Sequence, residues 1–283
     1  MTTDWRQALG RRTLVMGVLN VTPDSFSDGG LYADPDSAVR HARQMASDGA
    51  DILDIGGEST RPATFGDRSP LPADEEKRRV LPVIARLAAD LPRLPLSVDT
   101  YKAEVAAAAL DSGASLVNDI SGLTFDPQMA PLIASRAVPV ILMHLLGTPR
   151  DIPLRPHYDD VVADICAFFE RQIVHARSQG IRDEQIWLDP GLGFGKTARH
   201  NLEILRRLPE LKALGYPLVV GASRKKFLGR VLGTDDPNDR REGTSAAVAL
   251  SIAGGADIVR VHDVREMARV AKVSDAIVRG WEE

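Results

Sequence analysis

Cysteine is almost absent from this 283-residue chain. Cys166 stands alone, which excludes an internal disulfide and fits a reducing compartment. It lies in the helical pattern DVVADICAFFERQI, where a packed, inert thiol is the expected role. No apolar run approaches the ~20 residues that cross a bilayer. The first residues, MTTDWRQALGRR, lack the apolar centre of a signal peptide. Neither sign of charge is in excess: 35 Lys and Arg face 39 Asp and Glu, evenly scattered, for a formal charge of -4. Without a basic stripe, nucleic acid and anionic membrane are poor partners, and small-molecule chemistry in a soluble cytoplasmic protein is the expectation. No Gly/Ser/Pro-rich linker divides the chain, so 1–283 reads as a single domain with 1–12 as an N-terminal extension. Nucleotide loops are missing as well. In DPGLGFGKT, residues 189–197, Pro190 stands where a P-loop has its first glycine, and Lys196 stands where a dinucleotide loop has its last.

What the chain does have is one alternation repeated from end to end. Short apolar runs occur at TLVMGVLN, DILDIGG, LPLSVDT, SLVNDI, VPVILMH, QIWLDPG, PLVVGAS and ADIVRVHD, each followed by a longer segment of helical period. Near-continuous hydrophobicity suits parallel strands covered on both faces. Eight such units predict a closed (β/α)₈ TIM barrel, with an open doubly wound sheet as the other solution. Helix stops are legible too: DPDSAVRHARQMASDGA ends near Gly49, and AEVAAAALDSGA ends at Gly113.

Each apolar run ends in polar residues that a buried strand does not need. They are Asn20, Asp54, Asp99, Asn118 with Asp119, His144, Asp189, Ser223 with Arg224 and Lys225, and Arg260 with His262. A parallel barrel gathers all strand C-termini on one face, where such barrels carry their active sites. Any single Asp or Asn there could instead cap a helix. Eight strand ends of the same kind favour a shared mouth. Asp99, Asn118 and Asp189 suit a flat heterocycle rich in N–H donors, because charge-assisted bonds to carboxylates are the stronger kind. Lys225, Arg260 and His262 suit a phosphate or pyrophosphate. The turn GASRKK also precedes an expected helix start, whose N–H groups favour anions.

At these residues the sequence resembles the dihydropteroate synthase family of folate biosynthesis. The resemblance rests on MGVLNVTPDSFSDGG, DIGGESTRP, SVDTYK, NDISG, MH, DPGLGFGK, GASRK, EGTSAA and RVHDV, in order, from about Thr13 to the last helix. It implies a (β/α)₈ barrel, commonly a homodimer, that condenses 6-hydroxymethyl-7,8-dihydropterin pyrophosphate with p-aminobenzoate to 7,8-dihydropteroate and pyrophosphate. It further implies that Asp99, Asn118, Met143, Asp189 and Lys225 hold the pterin, and that Asn20, Arg260 and His262 hold the pyrophosphate. By the same resemblance Asn20 ligates Mg²⁺. Asp99, Asn118, Asp189 and Lys225 are the expected catalytic set, acting by charge stabilisation without a side-chain nucleophile. Phe26, Thr60, Arg61, Pro62, Ser223 and Lys226 are expected around p-aminobenzoate, with the loops near 22–30 and 60–74 excluding water.

The chain departs from the family at three places. The second loop, from Ala63 to Asp74, is long and carries Phe65. Lys226 stands where relatives often place a serine, so its side chain or its N–H is expected to meet the p-aminobenzoate carboxylate. Leu145 and Leu146 follow His144, which is expected to be a satisfied strand-end histidine and not a metal ligand. No H-x-H pair follows the first strand, against a barrel metallohydrolase. Two rival functions share the pterin-binding carboxylates: a methyltetrahydrofolate-dependent methyltransferase, and a pterin-binding module without catalysis. The first has no pyrophosphate to hold, so TPDSFSDGG and RVHDV favour the synthase.

Overall fold

The computed structural model describes residues 5–22, 35–58, 71–148 and 156–281. Eight parallel strands follow the eight apolar runs: β1 Leu14–Asn20, β2 Ile52–Gly56, β3 Leu96–Asp99, β4 Leu116–Asp119, β5 Val140–Met143, β6 Ile186–Asp189, β7 Val219–Val220 and β8 Ile258–Val261. Their order is β6-β5-β4-β3-β2-β1-β8-β7, with helices in the connections. A parallel bridge between Leu188 in β6 and Leu218, beside β7, joins the two ends of that order. The sheet is therefore a closed TIM barrel and not an open doubly wound sheet.

Register divides every strand between two cores. Successive side chains point to opposite faces. One set, including Val15, Leu19, Leu53, Ile55, Val98, Val117, Leu142, Leu188, Val220 and Val259, packs outward against the helices in a continuous core. The other set, Leu14, Met16, Ile52, Leu116, Ile141, Trp187, Val219 and Ile258, fills the lower barrel as a separate cluster. The first residues close the base of that cluster. The short helix Trp5–Ala8 buries Ala8, and Trp5 meets Trp187 edge to face at 5.3 Å.

The helices stop where the glycines place them. The helix Pro35–Ser47 is followed by Gly49 at φ 107°, and Ala103–Asp111 by Gly113 at φ 110°. At Gly113 space adds to conformation, because a Cβ there would lie 2.5 Å from that of Ala88. No described helix is long and apolar enough to cross a membrane. Cys166 is half-buried, and burial raises its thiol pKa above the ordinary value, as suits an inert packing residue.

Candidate active site

Two residues up four of the strands, the inward face changes character. Ile52 is followed on that face by Asp54, Leu116 by Asn118, Trp187 by Asp189 and Ile258 by Arg260. The change opens a pocket of about 340 Å³, counted out to the solvent, at the C-terminal mouth. It is lined by Asp99, Asn118, Ile120, Met143, Asp189, Gly191, Leu192, Phe194, Gly221, Lys225 and Arg260.

The floor of the pocket is a network that crosses the barrel. Arg260 donates from Nε to Asp54 at 2.6 Å and from Nη2 to Asp99 at 2.7 Å. Asp54, fully buried, also accepts from Asn118 Nδ2 at 3.0 Å. Two carboxylates thus share one guanidinium. Burial pushes the Asp99 carboxyl up to about 7; Arg260 pulls it down, and Asp54 adds to the rise. Burial works against the Arg260 charge as well, but Asp54 and Asp99 outweigh it and hold the guanidinium above its usual range. Asp189 is raised by burial too, opposed by the Gly191 N–H that its Oδ1 accepts at 2.7 Å and by the charges of Lys225, Arg260 and Lys196.

The segment DPGLGFGK forms one wall, and Lys196 ties it down from behind. This lysine is 8% exposed. Its ammonium reaches His144 Nδ1 at 2.9 Å and the carbonyls of Gly191, Phe194 and His144 at 3.0, 3.1 and 3.2 Å. Burial brings it down to about 7. His144, brought to about 2 by burial and by the Lys196 charge, is a neutral acceptor for that ammonium. It also packs edge to face on Phe168 at 5.0 Å, so it is a satisfied strand-end histidine as expected. Gly191 passes so close to the His144 carbonyl that a Cβ there would lie 2.0 Å from the oxygen. These contacts present Leu192 and Phe194 to the pocket, and Lys225 Nζ sits 4.3 Å over the Phe194 ring.

The remaining predicted residues lie around this centre. Asp99, Asn118, Met143, Asp189, Lys225 and Arg260 all line the pocket. Asn20 ends β1 opposite Gly56, which in turn pairs with Asp99, so Asn20 is two strands from the floor carboxylate. His262 contacts Ser223 Oγ through Nδ1 at 3.1 Å, and burial, with the nearby Arg260, Arg224 and Lys225 charges, takes it to about 3. At neutral pH it offers an N–H and no charge. Lys226 opens the helix Lys226–Leu232 and is exposed. Phe26, Thr60, Arg61, Pro62 and Phe65 lie outside the described residues.

Three features differ from the sequence reading. Arg260, read from the sequence as an anion-binding group, also bridges two carboxylates, Asp54 and Asp99, across the floor. Asp54 is the hub that orients it, a role its strand-end position alone did not reveal. Leu192 and Phe194 join the pocket, and large apolar residues between glycines, just past a strand, were the signal for them. Among the described residues no group of three or more His, Cys, Asp or Glu side chains could hold a metal ion.

Comparison with known proteins agrees with this geometry. Residues 16–262 match the family described as Pterin binding enzyme. The chain is 49% identical over 276 residues to the dihydropteroate synthase of Synechocystis sp., covering 98% of this chain and 92% of that protein. Among solved structures, a Clostridium difficile dihydropteroate synthase obtained in the presence of pteroic acid superposes with a TM-score of 0.88 at 49% identity, covering 96% of this chain and 98% of that one. The Yersinia pestis dihydropteroate synthase, solved with a sulfonamide drug, gives 0.87 at 41% identity over 95% of each chain. With eight strand ends converging on one mouth and a match that spans nearly the whole barrel, this chain belongs to the pterin-binding enzyme family.

Proposed function

We infer that the chain is a dihydropteroate synthase, which joins 6-hydroxymethyl-7,8-dihydropterin pyrophosphate to p-aminobenzoate and releases pyrophosphate. The observation that carries this reading is the grouping of Asp99, Asn118 and Asp189 with Lys225 and Arg260 around one pocket. In this reading the two carboxylates and the amide take the N–H donors of the pterin ring, with Met143 against its face and Lys225 beside its carbonyl and N5. Buried acceptors whose pKa is raised bind a donor-rich ring well, because the ring's N–H groups replace the protons that burial otherwise favours. Arg260 uses Nε and Nη2 on Asp54 and Asp99, and Nη1 is the nitrogen available for a phosphate oxygen, with His262 adding an N–H.

The bond between the pterin methylene and the pyrophosphate oxygen breaks first, its electron pair leaving with pyrophosphate. The methylene cation is conjugated with the ring, and the negative floor stabilises it in place. The amine of p-aminobenzoate then attacks that carbon, forms the C–N bond and sheds its proton. Positioning and exclusion of water are the protein's remaining tasks. Mg²⁺ is the metal we assign, and bound there it would offset charge on the pyrophosphate. Asn20 suits it, since a hard oxygen ligand at a strand end matches an ion that takes one or two protein ligands and fills its shell with phosphate oxygens and water.

We also assign a homodimer in the cytoplasm. Leu250 is 65% exposed on the helix Arg241–Ala253, and Val273 and Ile277 are 61% and 79% exposed on the helix Val264–Arg279 that packs beside it; these exposed apolar residues support self-association. Sedimentation of the protein as a monomer at micromolar concentration would remove that part of the reading.

The deciding experiment for the activity is pyrophosphate release from the pterin pyrophosphate with Mg²⁺, with and without p-aminobenzoate. Release that requires p-aminobenzoate, is inhibited competitively by a sulfonamide and collapses in Lys225→Ala is the expected result. Tight pterin binding without release would favour the methyltransferase or the non-catalytic module.

A further inference from the structure

Three non-glycine residues among the described ones have positive φ: Leu123, Ala137 and Arg224. Arg224, at 57°, stands between two groups the reaction needs, Ser223 and Lys225. An L residue with a long side chain adopts this left-handed conformation only when its surroundings hold it there. Here the backbone N–H, the carbonyl and two guanidinium nitrogens are all held. Its N–H donates to Thr244 Oγ1 at 3.1 Å, and its carbonyl accepts from Arg240 Nη1 at 2.9 Å. Its guanidinium forks onto Asp263, Nε to Oδ2 at 3.0 Å and Nη2 to Oδ1 at 2.5 Å.

The parts of this clamp are themselves fixed. Thr244 is fully buried and donates its hydroxyl to the Arg240 carbonyl at 2.8 Å; Arg240 is 5% exposed. Asp263 follows His262 at the end of β8, and its side chain is 8% exposed. The motif EGTSAA, which lines no part of the pocket, thereby acquires a purpose through Thr244. One turn of chain is tied to the end of β8 and to the start of the helix Arg241–Ala253. On one side of it Ser223 Oγ accepts from the His262 N–H at 3.2 Å. On the other, Lys225 lies over Phe194 in the pocket. A fork spent on both oxygens of Asp263 is not available to hold a substrate anion in the same way.

We propose that Arg224 is a positioning residue: its fourfold clamp holds residues 222–225 in a left-handed turn that aims Lys225 into the pocket and Ser223 at His262. The assignment of what Lys225 then does rests on the synthase reading; the clamp does not. Glycine supplies the same backbone conformation without a clamp. Arg224→Ala and Arg224→Gly both delete the fork and leave Asp263 the same remaining partner, Arg241 Nη2 at 3.9 Å, so the difference between them reports the backbone alone.

The test compares these two full-length variants with the unaltered protein. The measurements are kcat and both KM values, calorimetric binding of the pterin pyrophosphate, thermal melting, and φ at residue 224 in crystals. Arg224→Ala is expected to lose about five- to thirtyfold in kcat/KM for the pterin pyrophosphate, the equivalent of the left-handed penalty for a residue with a Cβ. Arg224→Gly is expected to regain most of that loss when both variants are assayed well below their melting temperatures. A role in stability alone predicts unchanged kcat/KM in both folded variants, and direct contact of the guanidinium with substrate predicts equal losses; either result overturns the proposal. Should Arg224→Ala fail to fold, Asp263→Asn loosens the same fork from the other side, and adding Arg224→Gly to it must restore kcat/KM. No restoration overturns the clamp. If the unaltered protein releases no pyrophosphate, the synthase reading falls, and the turn is still judged by whether the glycine variant keeps positive φ at 224 and the alanine variant loses it.

Discussion

The lower and upper halves of the barrel interior are built from the same strands, on the same face, two residues apart, and they have opposite chemistry. Below, Leu14, Ile52, Leu116, Trp187 and Ile258 form a buried apolar cluster with Trp5 and Ala8 of the helix Trp5–Ala8 against it. Above, Asn118, Asp189 and Arg260 bring amide and charged groups to the pocket, with Asp54 buried beneath them. Stability and reactivity are separated here by a single step of the strand period. The lower layer gains from removal of apolar surface from water. The upper layer is costly in desolvation, a cost offset where Arg260 pairs with Asp54 and Asp99 and Asn118 donates to Asp54.

Asp99→Asn is the most severe test of that separation. Loss of one floor charge is expected to lower kcat/KM by about 10³-fold, the scale of removing one preorganised electrostatic group. Folding should suffer little. The sign of its pH effect follows from the raised pKa: folded Asp99 binds its proton more tightly than unfolded Asp99, so its contribution to stability is fully present below the unfolded value of ~3.9 and is lost as pH rises through about 7. Asp99→Asn should therefore remove part of any loss in melting temperature between pH 4 and 7. Near-normal turnover in this variant would show that the floor charge is not what the upper layer contributes.

Leu14→Ala addresses the other half. It should cost about 3 kcal/mol of stability, as a buried leucine leaves a cavity, while both KM values stay put. A change in pterin KM comparable with the loss of stability would mean that the two layers are mechanically coupled.

Lys226→Ala carries the smallest expected effect. From an exposed place at the start of the helix Lys226–Leu232, its charge should improve the KM for p-aminobenzoate about two- to fivefold. An unchanged KM would leave only the backbone N–H in that role.

Much of this was legible in the sequence, and the reasons are physical. Strands buried on both faces must be apolar throughout, so all eight announced themselves, and any polar residue at their ends stood out. Asp99, Asn118, Met143, Asp189, Lys225 and Arg260 were found by that contrast together with the family's motifs, and the structure brings them to one pocket. What stayed hidden depends on distance along the chain or on backbone conformation. Arg260 is 206 residues from Asp54, and no local pattern ties the two together. Lys196 looks like a surface lysine in a glycine loop, and only the fold turns its ammonium inward onto three carbonyls. Arg224 violates the ordinary preference of an L residue, which no propensity would suggest.

The Arg260 network also bears on how the barrel comes into being. Asp54 and Asp99 belong to the second and third strands to leave the ribosome, and the guanidinium that answers both arrives only with the eighth, 206 and 161 residues later. A nascent chain that closed its interior earlier would trap two anions without a counter-charge. Contacts of such long sequence separation form late and slowly. Closure of the ring and neutralisation of its mouth are thus a single event, and a chain truncated before β8 would lack both the strand that joins β7 to β1 and the charge that lets its carboxylates be buried.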